Sequence, residues 1–229
     1  MSDYETLSIL LDSGADQDEV CFGHTLLTHA IDLEGDSHVQ TNYPLNTAST
    51  AILLAYGADP RLPAMDGETP LQIAEYYHHE PAQRLLQRFH ALTPANTPGS
   101  TGRSDHELST EGESWTPAHK AVEMSDYETL SMLLDSGSDP NEGCFGHTLL
   151  THAIDVEGDS HLQTGHPLHT ATTAILLAYG ADPRLPAVDG ETPLQIAEYY
   201  HHEPAQRLLQ RFHALTPPED PGTGSARGE

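Results

Sequence analysis

The sequence predicts an all-α fold: a solenoid of helix–turn–helix units with protruding turns, arranged in two short stacks. Three observations point to it. Residues 1–94 recur at 124–217 with a constant offset of 123 and twelve differences, so the chain is an internal duplication. Inside each copy an apolar helical run ends at a glycine and, after an extended excursion, gives way to a new capped helix. This happens at Ala51–Ala74 and again at Ala174–Ala197, AILLAYGADPRLPAVDGETPLQIA. Each copy closes on an amphipathic helix. In the second, begun at Glu203-Pro204, Leu208, Leu209, Phe212 and Leu215 share one face while Gln206, Arg207, Gln210 and Arg211 point away. A polar outer side of this kind ends a stack.

The second copy contains every element. TPAH at Thr116–His119 starts an inner helix after Trp115, Tyr127–Leu134 forms the outer helix, and GSDPN at Gly137–Asn141 turns the chain. The middle unit opens at Gly146 with TLLT, which lacks a helix-starting proline, so its register rests on Thr148, Leu150 and Ala153. The middle unit ends where Ala174, Ile175, Leu176 and Leu177 close an apolar helical face and Gly180 supplies the positive φ that a helix end wants, and the last unit runs from Asp189. Pro183 and Pro186 exclude helix, Asp189-Gly190 makes a turn, and Thr192 caps a helix whose first position is Pro193.

This alternation of GADP, a protruding turn, DGxTPL and a small-residue helix resembles the ankyrin repeat, a helix–turn–helix unit of about 33 residues. Against that length about ten residues are in excess between Ala153 and Leu176, which predicts an enlarged loop containing DVEGDSHLQTGHPLH. The resemblance implies a local hydrogen bond between Thr116 and His119 at the helix start, which makes His119 structural. The domain boundaries follow: a first copy at 1–94, a Gly/Ser/Thr-rich acidic linker at 95–114, a second copy at 115–217 and a disordered tail at 218–229. The QRLLQRFHALTP end of the first copy lacks a GADP exit, which argues for two stacks over one. Met1 falls at the position of Met124, inside the first repeat, so the equivalent of WTPAHKAVE is missing. The first copy is expected to be the less stable half, and the reading frame to begin further upstream.

Composition narrows the function. With 35 acidic residues against eight arginines and one lysine, the formal net charge is −26. This opposes nucleic-acid binding, which needs cations on the phosphates, and favours encounter with a basic protein. The N-terminus has no basic region followed by an apolar run, and no stretch reaches the roughly 18 apolar residues of a membrane span. A cytoplasmic protein is expected, with Cys21 and Cys144, one per copy, as reduced thiols.

The histidines are the one hint of chemistry. His201-His202-Glu203, repeated at His78-His79-Glu80, falls between two helices, where adjacent side chains diverge. His161, His166 and His169 are dense, but the first copy has His38, Tyr43 and Asn46 there, which argues against a shared metal site. No GxSxG, HExxH or phosphate-cradling loop occurs. No catalytic residue, metal or cofactor is expected, and the chain is expected not to be an enzyme. The competing reading is a metal-binding protein or hydrolase that uses the histidine-rich loop.

The resemblance instead implies binding of a protein partner through the concave side, made by the turn tips and the exposed side of the inner helices. Carried over by position, the contacts are Trp115, Glu123, Phe145, His147, Asp155, Val188, Asp189, Glu191, Tyr199 and Tyr200. The first copy adds Tyr76 and Tyr77, with Phe22, His24, Asp32, Met65, Asp66 and Glu68 as further counterparts. The tyrosine pairs lead, because tyrosine offers a large rigid surface and a hydroxyl, although either member of a pair could equally pack inside its repeat. A sharper version makes the chain an acidic inhibitor or immunity protein that neutralises a basic toxin or nuclease.

Overall fold

The computed structural model describes residues 3–41, 44–92 and 115–215; the expected linker and tail lie outside them. The described residues form eleven helices and two short ribbons. The first copy comprises α1 (Asp3–Asp12), β1 (Val20–Cys21), β2 (His24–Thr25), α2 (Leu26–Thr41), α3 (Ala48–Tyr56), α4 (Pro70–Tyr76) and α5 (Glu80–Leu92). The second comprises α6 (Pro117–Glu123), α7 (Tyr127–Asp135), β3 (Gly143–Cys144), β4 (His147–Thr148), α8 (Leu149–Thr164), α9 (Ala171–Tyr179), α10 (Pro193–Tyr199) and α11 (Glu203–Leu215). Inner helices α2 and α4, and α6, α8 and α10, pack side by side. The outer helices α1, α3 and α5, and α7, α9 and α11, stand behind them.

Local chemistry explains the element ends. Thr192 accepts from the Gln195 N–H while the Gln195 side chain reaches back to Thr192, so Pro193 enters a helix whose first turn is already satisfied. Thr148 and Thr151 form the same reciprocal cap on α8, which is how TLLT starts a helix without a proline. At the end of α9, Gly180 has φ 102°, and the N–H of Ala181 returns to the carbonyl of Leu176, a Schellman closure. The protruding turns are two-residue hairpins. In β3–β4 Cys144 faces His147, and Phe145 and Gly146 at the tip both have positive φ, 49° and 88°. The Val188 N–H bonds the Gly146 carbonyl at 2.8 Å, tying one finger to the next.

The enlarged loop is not a loop. The excess residues lengthen α8 to Thr164, so that only 165–170 remain to return the chain. The polar, glycine-containing DVEGDS resembles a turn, yet both of its unusual residues serve a helix. Gly158 is helical, and a Cβ there would lie 2.3 Å from Cγ of Tyr200, so the missing side chain makes room for the ring. Glu157, 2 % exposed, turns inward and accepts from the backbone N–H groups of Thr172 and Thr173 at 3.0 and 3.1 Å and from the Thr173 hydroxyl at 2.6 Å. It thereby caps α9 from outside. Glu34 does the same for α3 through Thr50, and burial pushes its carboxyl up to about 8.

There are two stacks, and they pack back to back through their outer helices, with α3 against α9 at the centre. These two helices have no polar face. Ala48, Ala51, Ile52, Leu54 and Ala55, and Ala171, Ala174, Ile175, Leu177 and Ala178, are all fully buried. A helix apolar all round must be covered all round. The Thr170 hydroxyl bonds Tyr56 of the other copy instead of capping its own helix, and Tyr56 donates to Asp12 at 2.6 Å. Thr47, Tyr179 and Asp135 repeat the arrangement. Tyr4 donates to Glu128 and Tyr127 to Glu5, both at 3.0 Å, with the two rings edge to face. Burial pushes the four hydroxyls up, which keeps them as donors, and pushes Asp12 and Asp135 up to about 6.

The arginines of the closing helices correct the sequence reading. Arg207 and Arg211 do not simply face solvent at the end of a stack. Arg211 bonds the Tyr56 carbonyl at 2.8 Å and Arg207 the Asp12 carbonyl at 3.3 Å, while Arg88 and Arg84 bond the Tyr179 and Asp135 carbonyls at 3.1 Å. A Cβ on Gly57 would fall 2.2 Å from Arg211, and one on Gly180 2.4 Å from Arg88, so each helix-ending glycine also admits the other copy's guanidinium.

Candidate functional site

In the four-layer arrangement the inner helices and fingers of the two copies lie on opposite outer sides. On the second copy α8, α10 and the two fingers enclose an open recess of about 180 Å³, lined by His147, Asp155, Ala187, Asp189, Glu191, Ile196, Tyr199 and Tyr200. Six of these are expected contacts. Tyr199 is 76 % exposed and meets Tyr200 edge to face, with ring centroids 5.0 Å apart. Tyr200 is the packed member of the pair: it lies over Gly158 and donates to Asp155 at 2.7 Å and Asp159 at 3.0 Å. Burial and these carboxylates push its hydroxyl up, holding it as a donor. Asp189 has a turn role too, since its Oδ1 accepts from the Glu191 N–H at 3.0 Å. Val188 is exposed at the finger tip.

Trp115, Glu123 and Phe145 form a second group at the end of the stack. Its centre is His152, a residue that is not among the expected contacts. The Trp115 ring stacks on His152 and His119, with centroids 4.5 and 5.3 Å apart, and meets Phe145 edge to face at 4.9 Å. Glu123 Oε2 lies 3.3 Å from His152 Nε2. Burial pulls His152 down to about 4, so it is neutral at pH 7. His147 borders both groups, its ring 6.0 Å from that of His152. The Thr116 hydroxyl accepts from the His119 backbone N–H at 3.2 Å and lies 2.8 Å from its Nδ1, the local bond that the resemblance implied.

The first copy reproduces one group and not the other. His24, Asp32, Ala64, Asp66, Glu68, Ile73, Tyr76 and Tyr77 repeat the eight recess residues without a change. Tyr76 is 78 % exposed; Tyr77 covers Gly35 and donates to Asp32 at 2.9 Å, with its hydroxyl pushed up to about 12 by burial and that carboxylate. Met65 is exposed at the finger tip beside it. Phe22 is fully exposed, and Cys21 is exposed where Cys144 is buried. No disulfide joins the two cysteines.

His79, His161 and His202 are held by backbone. His202 donates from Nε2 to the His169 carbonyl at 3.0 Å and accepts the Ala205 N–H at Nδ1, which starts α11; His79 makes the equivalent bonds to Asn46 and Ala82. His161 Nδ1 donates to the His166 carbonyl at 2.6 Å. Among the described residues no three His, Cys, Asp or Glu side chains are placed to hold a metal ion, and no helix is long and apolar enough to cross a membrane.

Comparison with known proteins agrees with the geometry. A family model of three ankyrin repeats matches residues 39–144. The transient receptor potential channel pyrexia of Drosophila melanogaster is 30% identical over 146 residues, 64% of this chain and 13% of that protein. The ARF GTPase-activating protein GIT1 of Homo sapiens is 34% identical over 106 residues, 43% of this chain and 12% of that protein, and its Mus musculus counterpart aligns equally. The chain thus spans only about an eighth of the length of these relatives. Residues 162–217 repeat residues 39–94 of the matched stretch at the offset of 123. The capped inner helices, finger hairpins and paired outer helices agree with that match: the chain contains ankyrin repeats.

Proposed function

We propose that the chain is a non-enzymatic, cytoplasmic binding module that holds a basic segment of a partner protein in the recess of each copy. Ankyrin repeats are protein-binding units, and the finer reading rests on where the charges lie. Arg84, Arg88, Arg207 and Arg211 are engaged at the back. Arg61 and Arg184 bond the His90 and His213 carbonyls at the ends of α5 and α11. No described arginine therefore faces Asp155, Asp189 and Glu191, whose charge is left for a partner. A lysine or arginine side chain entering the recess would meet carboxylates and the face of Tyr199 together, which favours a cation. Trp115, Glu123, Phe145, Val188 and His147 extend the contact along the second copy, and Tyr76 and Tyr77 serve the first.

The test is affinity capture from source-cell lysate with the intact chain and with a Tyr76→Ala/Tyr199→Ala variant, at low and moderate salt. These two tyrosines are exposed, and each gives up only its edge contact with the neighbouring tyrosine. One basic protein enriched by the parent, lost with the variant and weakened by salt is the expected result. Identical capture by both chains would remove the recess from the reading.

A further inference from the structure

The pairing of the two copies is reciprocal. Tyr56 meets Thr170 across the boundary, and Tyr179 meets Thr47. Arg88 seeks the carbonyl beside Gly180, and Arg211 the carbonyl beside Gly57. When residue i of one unit touches j of the other and j in turn touches i, the surface is self-complementary, the kind that builds two-fold dimers. None of the twelve positions at which the copies differ is among these contacts. Each copy therefore carries the same half-interface together with its complement, and nothing in these contacts distinguishes the first copy from the second. A copy left alone would expose the fully apolar α3 or α9.

We propose that the outer-helix face is a homotypic recognition surface whose partner is any second copy of the module, from the same chain or from another. The tandem chain is the covalently joined form of a self-pairing unit. The 22 residues between Leu92 and Trp115 hold the second copy at an effective concentration of roughly millimolar, so the internal pair forms in dilute solution. Between crowded chains the same surfaces exchange halves. This inference is independent of what the recesses bind, because the outer helices lie behind the inner layer.

The experiment inserts a protease recognition sequence within residues 95–114 of the full chain, cuts it, unfolds the mixture in urea and refolds it at micromolar concentration. Native mass spectrometry separates the possible pairs, since the two fragments differ in mass. The expected result is both homodimers beside the mixed pair, with no fragment free in excess. An Arg88→Ala/Arg211→Ala change should weaken every pair alike, by about 100-fold. If only the mixed pair forms, the copies are not interchangeable and the proposal is overturned. Fragments that remain single, folded or not, overturn it as well.

Discussion

Gly158→Ala should destabilise the protein although it improves the intrinsic preference of α8 for helix. Glycine inside a helix costs about 1 kcal/mol relative to alanine, so at an open site the change would stabilise by that amount. Here the new Cβ would fall 2.3 to 2.6 Å from three atoms of the Tyr200 ring. The ring must move away from α8, which strains α10 by about 1–3 kcal/mol and loosens the one hydroxyl proton shared between Asp155 and Asp159, a hydrogen bond worth about 1.5–3 kcal/mol at full strength. With the ring only partly displaced, the net loss is about 2 kcal/mol. Urea unfolding followed by circular dichroism reads it as a lower midpoint. The control is the same change in a Tyr200→Ala background, where the obstacle is gone and alanine should raise the midpoint by about 1 kcal/mol equivalent. Gly35→Ala under Tyr77 is an internal replicate. A higher midpoint for Gly158→Ala in the parent, or the same sign in both backgrounds, would refute the packing argument.

Phe22→Asn should stabilise by about 1 kcal/mol, because a bulky residue held at φ 51° is strained and this fully exposed ring has no packing to lose; an unchanged urea midpoint would contradict it. Glu157→Ala should cost about 3 kcal/mol by stripping the acceptor from the start of α9, while Glu157→Gln, which can still accept there, should keep most of the stability; equal losses in thermal melts would show that the carboxylate is not a cap. The third expectation concerns pH. Folded Asp12 and Asp135 hold protons to about pH 6 against an ordinary 3.8, so the folded state binds more protons between those values and their contribution falls as pH rises through that window. His79 and His152, pulled down to about 4 by burial, act oppositely between there and 6.5: they remove stability as pH falls. Asp12→Asn/Asp135→Asn should therefore make stability climb more steeply from pH 4 to 6, and parallel melting profiles of parent and variant would count against the buried acids.

The repeat unit was readable because its punctuation is local. Thr192, Pro193 and Gly180 each fix a backbone state within one turn, and all three behave as their chemistry requires. The tyrosine pairs could be placed on the inner side by position, but which member was free depended on Gly158, about forty residues away in a segment that reads as a turn. The same segment hid the length of α8, since a buried glutamate and a ring-bearing glycine look, in one dimension, like loop residues. The signal that was present and passed over is in ATTAILLAY: an outer helix with no polar face cannot border solvent.

The differences between the copies explain why the back-to-back arrangement was harder to see than the repeat itself. Some preserve a contact atom for atom: Asp18 and Asn141 each accept, through Oδ1, the N–H of Asp59 or Asp182 at 2.8 and 2.7 Å. Others lie at the finger base and in the segment before α3 and α9, as with Val20 against Gly143 and Asn46 against His169. The second of these needs no side-chain match, because His79 and His202 bond only the backbone carbonyl there. The recess and the reciprocal contacts contain none. The outer helices differ only at Ile9 against Met132 and Ser49 against Thr172, so a comparison of the copies alone marks two nearly unvarying surfaces, the inner recess and the outer helices, without saying that they face opposite ways. That requires knowing that Arg88 and Arg211 spend their charge on carbonyls of the other copy, and a guanidinium bonding a carbonyl leaves no complementary charge in the sequence to find.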